Sequence, residues 1–154
     1  MADIYTEAWF ALVRDAINER VATLRDVPTG SWLVAVDIVG DGVSPYVADG
    51  TERHFLVQIE DGRCAWYREG EPAEEEELSY RFRGPAAAFD EVAAALLDPI
   101  EAALRGVVRV RGDMRFLLRQ ADHVKALLEA YATVDTTWPL GCPPYLHQRE
   151  TVDA

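Results

Sequence analysis

Side chains that could carry out chemistry are present in this sequence, but they do not stand at the spacings that known reactions need. Asp122, His123 and Glu129 share one predicted helix, yet no two of them share an apolar-lined face. Cys142 and His147 lie close together, but prolines constrain the peptide between them and no third ligand or orienting acid is evident. A glycine-rich phosphate loop, an HExxH motif and a nucleophile elbow are all absent. We therefore expect no catalytic residue, no metal and no cofactor, and His123 is expected to be a surface or internally hydrogen-bonded histidine.

Two groups of charged residues are more typical of a solvated surface than of a binding site. The acidic run at residues 74–77 is interpreted as a solvated connection, because no other ligand type is interleaved with its carboxylates. Four arginines on two predicted strands would cluster if those strands pair: Arg81, Arg83, Arg109 and Arg111. Such a cluster could bind a carboxylate or phosphate, but charges on an exposed sheet face usually pair with neighbouring acids. We expect acidic partners for them, Asp37 among these.

The composition is that of one soluble globular domain. The chain has 154 residues, of which 49% are hydrophobic and 27% charged, and no apolar run approaches the ~20 residues of a membrane span. A net charge of −12 disfavours both nucleic acid and anionic membranes as partners. The N-terminus lacks the apolar region of a secretory signal, so we expect a cytosolic protein without stable membrane insertion. Cys64 and Cys142 are too few for a disulfide framework and are expected to be free thiols.

Hydrophobic periodicity predicts alternating groups of helices and strands. A helix over residues 5–25 is followed by strands at 31–39, 54–61, 63–69 and 78–84, two short helices between 85 and 106, a strand at 107–111 and a last helix from 113 to 131. Asp61-Gly62 predicts a tight hairpin, and Asp98 and Asp113 are predicted helix caps. Alternation places residues such as Val34, Trp66 and Phe82 on an apolar sheet face, and Tyr67 on the polar face. One apolar and one polar face indicate an α+β fold with helices on one side.

The stretch "GVVRVRGD" followed by "MRFLLRQADHVKALLEAY", residues 106–131, resembles the sterol-carrier-protein family of nonspecific lipid-binding domains, and the element order extends the resemblance from about residue 30. The resemblance implies a five-stranded, mainly antiparallel sheet with helices packed on one face, enclosing an apolar cavity for fatty acids, acyl chains or sterols. Two features depart from the family. The chain ends "TVDA" without the peroxisomal tripeptide, and it carries a Pro-rich segment, "WPLGCPPYLHQ". We therefore expect a lipid-binding domain at residues 1–133 and an extended tail at 134–154.

Large apolar side chains in these elements are the predicted wall of a ligand cavity: Trp32, Phe55, Trp66, Tyr80, Phe82, Phe89, Leu96, Ile100, Phe116 and Leu117. The predicted function is to bind and shield an apolar ligand, such as a fatty acid, acyl derivative, sterol or steroid-like molecule, as a carrier or presenter. Three alternatives stay open at this stage. The same residues could simply fill a core; the cavity could belong to an isomerase or cyclase acting on a steroid or polyketide, with Tyr80 or Asp37 as its polar residue; or the chain could be an interaction module that dimerises through the tail near Trp138.

Overall fold

The computed structural model describes residues 1–74 and 77–145. In chain order its strands and helices are β1 (Ala2–Asp3), α1 (Glu7–Val21), β2 (Ser31–Val39), β3 (Glu52–Glu60), β4 (Arg63–Glu69), β5 (Tyr80–Pro85), α2 (Ala86–Ala93), α3 (Pro99–Leu104), β6 (Arg109–Gly112), α4 (Met114–Arg119), α5 (Ala121–Thr133) and β7 (Thr136–Thr137). The predicted order of helices and strands is therefore confirmed. The two-residue strands β1 and β7 were not predicted, because so short a segment has no detectable periodicity.

Five strands form one sheet in the order β4-β3-β2-β5-β6. Strand β2 lies at the centre and pairs antiparallel with β3 but parallel with β5, while β3–β4 and β5–β6 are antiparallel. The β3–β4 hairpin has Asp61 and Gly62 at its turn, as predicted. The predicted α+β fold with a mainly antiparallel, five-stranded sheet is confirmed.

A β-bulge in β4 changes which side chains face the helices. Ile59 pairs with Cys64, but the preceding Gln58 pairs with Trp66, so β4 contains one extra residue at Ala65. An extra residue reverses the alternation beyond it, because successive strand side chains point to opposite faces. Tyr67 consequently faces the helices, opposite Val57. The predicted alternation is correct for Cys64, which pairs with Ile59 and is buried, but wrong beyond the bulge, where Trp66 and Tyr67 exchange faces.

The predicted last helix is divided into α4 and α5. Gln120 separates them with φ −105° and ψ 33°, outside the helical region. Hydrogen bonds still pass this residue, since Gln120 N donates to Phe116 O at 3.0 Å and Val124 N donates to Gln120 O at 3.0 Å. The caps were predicted correctly. Asp98 accepts hydrogen bonds at the start of α3, and Asp113 accepts one from Phe116 N at the start of α4.

The N-terminus and the segment after α5 are joined by backbone pairing. Ala2 pairs with Thr136 in a parallel β1–β7 ladder, and Trp9 Nε1 donates to Thr136 Oγ1 at 3.0 Å. Tyr145 is buried, so the described part of the predicted tail lies against the domain. Residues 75, 76 and 146–154 lie outside the described residues, so the hypotheses about the acidic run and about Cys142 with His147 stay predictions.

Gly112, at the junction of β6 and α4, should not tolerate a side chain. Its φ is +139°, and an added Cβ would lie 2.2 Å from Tyr80 Cδ1. We expect Gly112→Ala to lower the free energy of unfolding by about 3 kcal/mol, through backbone strain and overpacking. Gly106→Ala is the matched control, because Gly106 also has a positive φ, +76°, but open space around it. Its expected loss is about 1 kcal/mol, from backbone strain alone. Urea unfolding of both variants tests this, and equal losses would contradict the steric argument.

Candidate functional site

A cavity of about 170 Å³ lies between the sheet and the helices. Its wall is almost wholly apolar and is contributed by β2–β5 and by all five helices. A cavity needs roughly 10–15 Å³ to hold a single water, and protein interiors rarely contain larger voids. The apolar wall offers water in this cavity few hydrogen-bond partners. The interior is therefore not a filled core.

Six of the ten residues predicted as the cavity wall lie on it: Trp32, Tyr80, Phe82, Phe89, Phe116 and Leu117. The indole of Trp32 on β2 and the ring of Phe116 on α4 are tilted by 34° with centroids 5.3 Å apart. This pair connects the sheet to the start of the divided helix and closes one side of the cavity. Their role toward a ligand stays a prediction.

The structure places the other four residues elsewhere. Phe55 is buried beside α1, with its ring 5.5 Å from that of Phe10, and it fills core space. Trp66 lies on the opposite face of the sheet, under the guanidinium of Arg68 at 4.5 Å, because of the bulge in β4. Leu96 and Ile100 are partly exposed and line a neighbouring cleft of about 260 Å³. Three residues line both spaces: Val92, Pro99 and Leu128.

Sequence reasoning missed the part of the wall that the segment before α1, α1 itself, β4 and α5 contribute: Tyr5, Trp9, Ile17, Tyr67, His123, Val124, Leu127, Leu128 and Tyr131. A signal for α5 was present, since His123, Leu127 and Tyr131 recur at intervals of four residues and so share one helix face. No comparable signal existed for Tyr67. Its orientation follows from the extra residue in β4, which only the strand register shows.

Polar groups on the wall are few, and His123, Tyr67, Tyr80 and Tyr131 each have one hydrogen-bond partner in the protein. His123 Nε2 donates to the backbone oxygen of Gly62 at 2.8 Å, which confirms the prediction of an internally hydrogen-bonded histidine. The hydroxyl of Tyr131 donates to that of Tyr67 at 3.0 Å. Burial raises the pKa of both tyrosines, so both hydroxyls stay neutral at physiological pH. The hydroxyl of Tyr80 donates to the backbone oxygen of Asp113 at 3.3 Å.

The opposite face of the sheet carries the predicted arginine cluster, and acids pair with Arg81 and Arg83. Arg81 pairs across β5 and β6 with Arg111, and Arg83 with Arg109. Arg81 forms an ion pair with Asp37, while Arg83 Nη1 lies 2.6 Å from Glu52 Oε1. His54 on the same face also contacts Asp37, and the expectation of acidic partners is confirmed for Arg81 and Arg83. Asp37 is therefore separated from the cavity by the thickness of the sheet.

A second buried carboxylate, Asp90 on α2, was not recognised in the sequence. It is fully buried and accepts hydrogen bonds from Tyr5 at 2.6 Å, Ser44 at 2.5 Å and Tyr145 at 3.2 Å. Burial raises the pKa of Asp90, while the three hydroxyl donors oppose that rise. The four side chains come from α2, the segment before α1, the β2–β3 connection and the C-terminal segment. Asp90 thus ties these parts together behind the cavity wall.

Together the fold and the site define a class of protein in which helices cover one face of a mixed sheet and enclose an apolar cavity. No family model matches this sequence, and no curated protein is similar enough in sequence to match it. Solved structures do match. The crystal structure of sterol carrier protein 2 superimposes with a TM-score of 0.67, covering 86% of this chain and 99% of that chain at 20% identity. A conserved hypothetical protein from Thermus thermophilus superimposes with a TM-score of 0.65, covering 88% of this chain and 92% of that chain at 20% identity.

At 20% identity this likeness is one of fold. The resemblance to sterol carrier proteins predicted from residues 106–131 is confirmed at that level. Among the described residues, no helix is both long enough and apolar enough to cross a bilayer.

The raised pKa of Asp90 leads to a testable pH dependence. The folded protein binds a proton at Asp90 at pH values where the unfolded chain, with an ordinary pKa of 3.8, has lost it. This carboxyl therefore lowers the free energy of unfolding as pH rises from about 3.8 through its raised pKa. The Asp90→Asn variant does not titrate there, so its stability relative to the parent should increase over that interval and then level off.

Urea unfolding at a series of pH values measures this difference. Asp49→Asn, the same charge change at an exposed position, is the control. A stability difference for Asp90→Asn that is constant with pH, or that decreases as pH rises, would contradict the raised pKa.

Proposed function

We propose that this protein binds an apolar small molecule, such as a fatty acyl derivative or a sterol-like compound, in the cavity and carries or presents it to other proteins. One observation supports this most directly, namely the apolar space of about 170 Å³ between sheet and helices. Side chains large enough to fill it are available on every surrounding element, yet the space is left open. The fold shared with sterol carrier protein 2 adds support, since that protein's name describes a carrier.

The volume limits what the cavity holds in this conformation. Small-molecule sites typically measure roughly 300–1,000 Å³, so about 170 Å³ accommodates only part of a long chain. The adjoining cleft of about 260 Å³ offers room for the remainder. Val92, Pro99 and Leu128 form the wall between them, and rotation of the flexible Leu128 side chain is the smallest change that would join the two spaces.

Exposed apolar side chains are most frequent in and beside two of the helices that contribute to the cavity wall. Most of the exposed large hydrophobic residues lie within or beside α3 and α4: Leu96, Ile100, Leu104, Val107, Met114 and Leu118. Contiguous exposed apolar surface commonly marks a ligand or partner site. We place the entrance for the ligand here, between α3 and α5, where the cleft meets solvent.

Binding energy is sufficient for a carrier. Each buried methylene contributes ~0.8 kcal/mol, so ten contribute a gross ~8 kcal/mol. A dissociation constant of 1 μM corresponds to about 8.2 kcal/mol, and association also costs free energy. With an association cost of at least ~4 kcal/mol, micromolar affinity requires about fifteen buried methylenes, or fewer with a hydrogen bond at the end of the chain.

The alternative functions receive less support from the geometry. Of the two polar residues considered for an isomerase or cyclase, Tyr80 lies on the cavity wall but Asp37 lies on the other sheet face. The ring of Trp138, considered for a dimer contact, packs on Tyr46 of its own chain with centroids 5.9 Å apart. Carriage therefore remains the function that we propose.

Organic extraction of purified protein, followed by mass spectrometry, tests the proposal directly. We expect a bound lipid or other apolar compound at close to one molecule per chain. Displacement of a fluorescent fatty acid from delipidated protein supplies a second measurement. A clean extract together with no probe binding would overturn the proposal.

A cavity-filling variant should weaken binding without unfolding the protein. Val34 lies on the cavity wall at the centre of β2, and in Val34→Phe the added ring would displace about two methylenes of ligand. At ~0.8 kcal/mol each, this loss corresponds to about tenfold weaker affinity. The control is Leu33→Phe, which makes a similar change on the opposite face of the same strand. Probe titration of both variants measures the effect, and equal affinities would show that the ligand binds elsewhere.

A further inference from the structure

Two tyrosine hydroxyls meet at one end of the cavity. Tyr67 belongs to β4, at the edge of the sheet, and Tyr131 lies near the C-terminal end of α5. Their hydroxyl oxygens are 3.0 Å apart, and their rings are at 70° with centroids separated by 6.1 Å. Both residues line the cavity, while the wall residues of α3, and Val108 just before β6, lie toward the opposite edge of the sheet.

This pair of hydroxyls has one more hydrogen-bond donor than the hydrogen bond between them requires. Two hydroxyls bring two O–H donors, and the single hydrogen bond between them uses one. Within residues 1–74 and 77–145, neither hydroxyl has another hydrogen-bond partner. Whichever tyrosine donates to the other, one O–H group is left without an acceptor. A buried donor without an acceptor costs free energy, and an oxygen atom of a ligand would remove that cost.

The surroundings of the pair favour an uncharged oxygen. The ring of Phe10 stacks on Tyr67 with centroids 5.1 Å apart, and the indole of Trp9 lies against both tyrosines. Burial dominates the raised pKa of each tyrosine, and no cation among the described residues contributes to either shift. An ionised carboxylate would need several donors or a cation to offset its desolvation, whereas a ketone, ester or hydroxyl oxygen needs one donor.

We propose that Tyr67 and Tyr131 form a hydrogen-bonding site that selects apolar ligands ending in an uncharged oxygen acceptor, such as a ketone, an ester or an alcohol. This inference rests on the proposed function, because it assigns the polar end of the ligand carried in the cavity. The oxygen binds at the tyrosines under α1 and α5, and the apolar part extends toward α3. The pair thus determines specificity for the polar end group of the ligand, and it does not select for the length or shape of the apolar part.

Three ligands of equal carbon number test this proposal: 2-tridecanone, tridecane and tridecanoate. Each competes with the uncharged probe N-phenyl-1-naphthylamine for delipidated parent protein at pH 8, where the acid is ionised. We expect 2-tridecanone to bind about tenfold more tightly than either tridecane or tridecanoate, because it alone accepts the unused O–H without a charge.

Variants of the pair make a distinctive prediction. The double variant Tyr67→Phe/Tyr131→Phe has no donor, so it should bind the ketone and the alkane within twofold of each other. Each single variant still has one unused O–H group, so each should keep most of the preference for the ketone. Tyr46→Phe is the control, because it removes a tyrosine hydroxyl outside the cavity, where Tyr46 donates to Gly141 O at 2.8 Å.

An infrared spectrum supplies a measurement that needs no variant. The C=O stretch of 2-tridecanone bound to the parent protein should lie at the lower frequency of a hydrogen-bonded ketone, relative to the ketone in an alkane solvent. A stretch at the alkane-solvent frequency would overturn the proposal even if the double variant failed to fold.

The outcomes separate this proposal from the proposed function. Equal affinities of parent protein for the ketone and the alkane, or tighter binding of tridecanoate, would overturn the tyrosine site while leaving a carrier of apolar molecules. A double variant that kept its preference for the ketone would do the same. Failure of all three ligands to displace the probe, together with failure of the probe to bind, would overturn both.

Discussion

The packing of α1 directly on the sheet is the constraint on which the rest of the structure depends. Phe10 of α1 stacks on Tyr67 of β4 and packs on Phe55 of β3, so this helix lies close against one edge of the sheet. Helix α5 packs mainly on α1, and it reaches the sheet at the edge strand, where Tyr131 contacts Tyr67 of β4. Arg20 of α1 also forms a surface ion pair with α5, with Nη1 3.0 Å from Glu129 Oε2. Because α5 is supported from the side, the space beneath it over the central strands stays open.

The other face of the sheet supports this arrangement by holding the strand register. Asp37 on the central strand contacts His54 of β3 at 2.8 Å and Arg81 of β5, so one buried carboxylate bridges both neighbouring strands. A slip of one residue in either pairing would move the apolar residues of that strand to the wrong face and separate this carboxylate from its partners. A buried charge without partners is strongly unfavourable. The ion pairs on the polar face thus help to fix the strand register that places the apolar side chains on the opposite face.

Much of the fold could be predicted from the sequence, because its main signals are local. Alternation in β2, β3 and β5 identified the apolar face, and Asp98 and Asp113 marked helix starts. The errors arose where geometry is not local. The bulge beside Cys64 exchanges the faces of Trp66 and Tyr67, and no residue there distinguishes a bulge from regular strand. Gln120 is an ordinary helix former, so nothing in its type indicates the break between α4 and α5.

The candidate site shows the same division. Six wall residues were predictable, because large apolar side chains on the helix-covered face of the sheet and on α2 and α4 must meet in the interior. The contribution of α1 was missed, since its apolar stripe is equally consistent with ordinary core packing. Asp90 was missed as well, because an acid in an Ala-rich helix has no sequence mark of burial. Its partners Tyr5, Ser44 and Tyr145 lie far from it along the chain and come together only in the fold.

The contrast between the two cysteines has a practical consequence. Cys64 is buried beside α1, and burial raises the pKa of its thiol to about 11, whereas Cys142 is exposed. A maleimide dye at neutral pH would therefore attach to Cys142 alone, next to Gly141, whose backbone oxygen accepts a hydrogen bond from Tyr46. The native chain thus provides a single attachment point outside the cavity. From that point, energy transfer from the tryptophans could follow the C-terminal segment while a ligand enters or leaves.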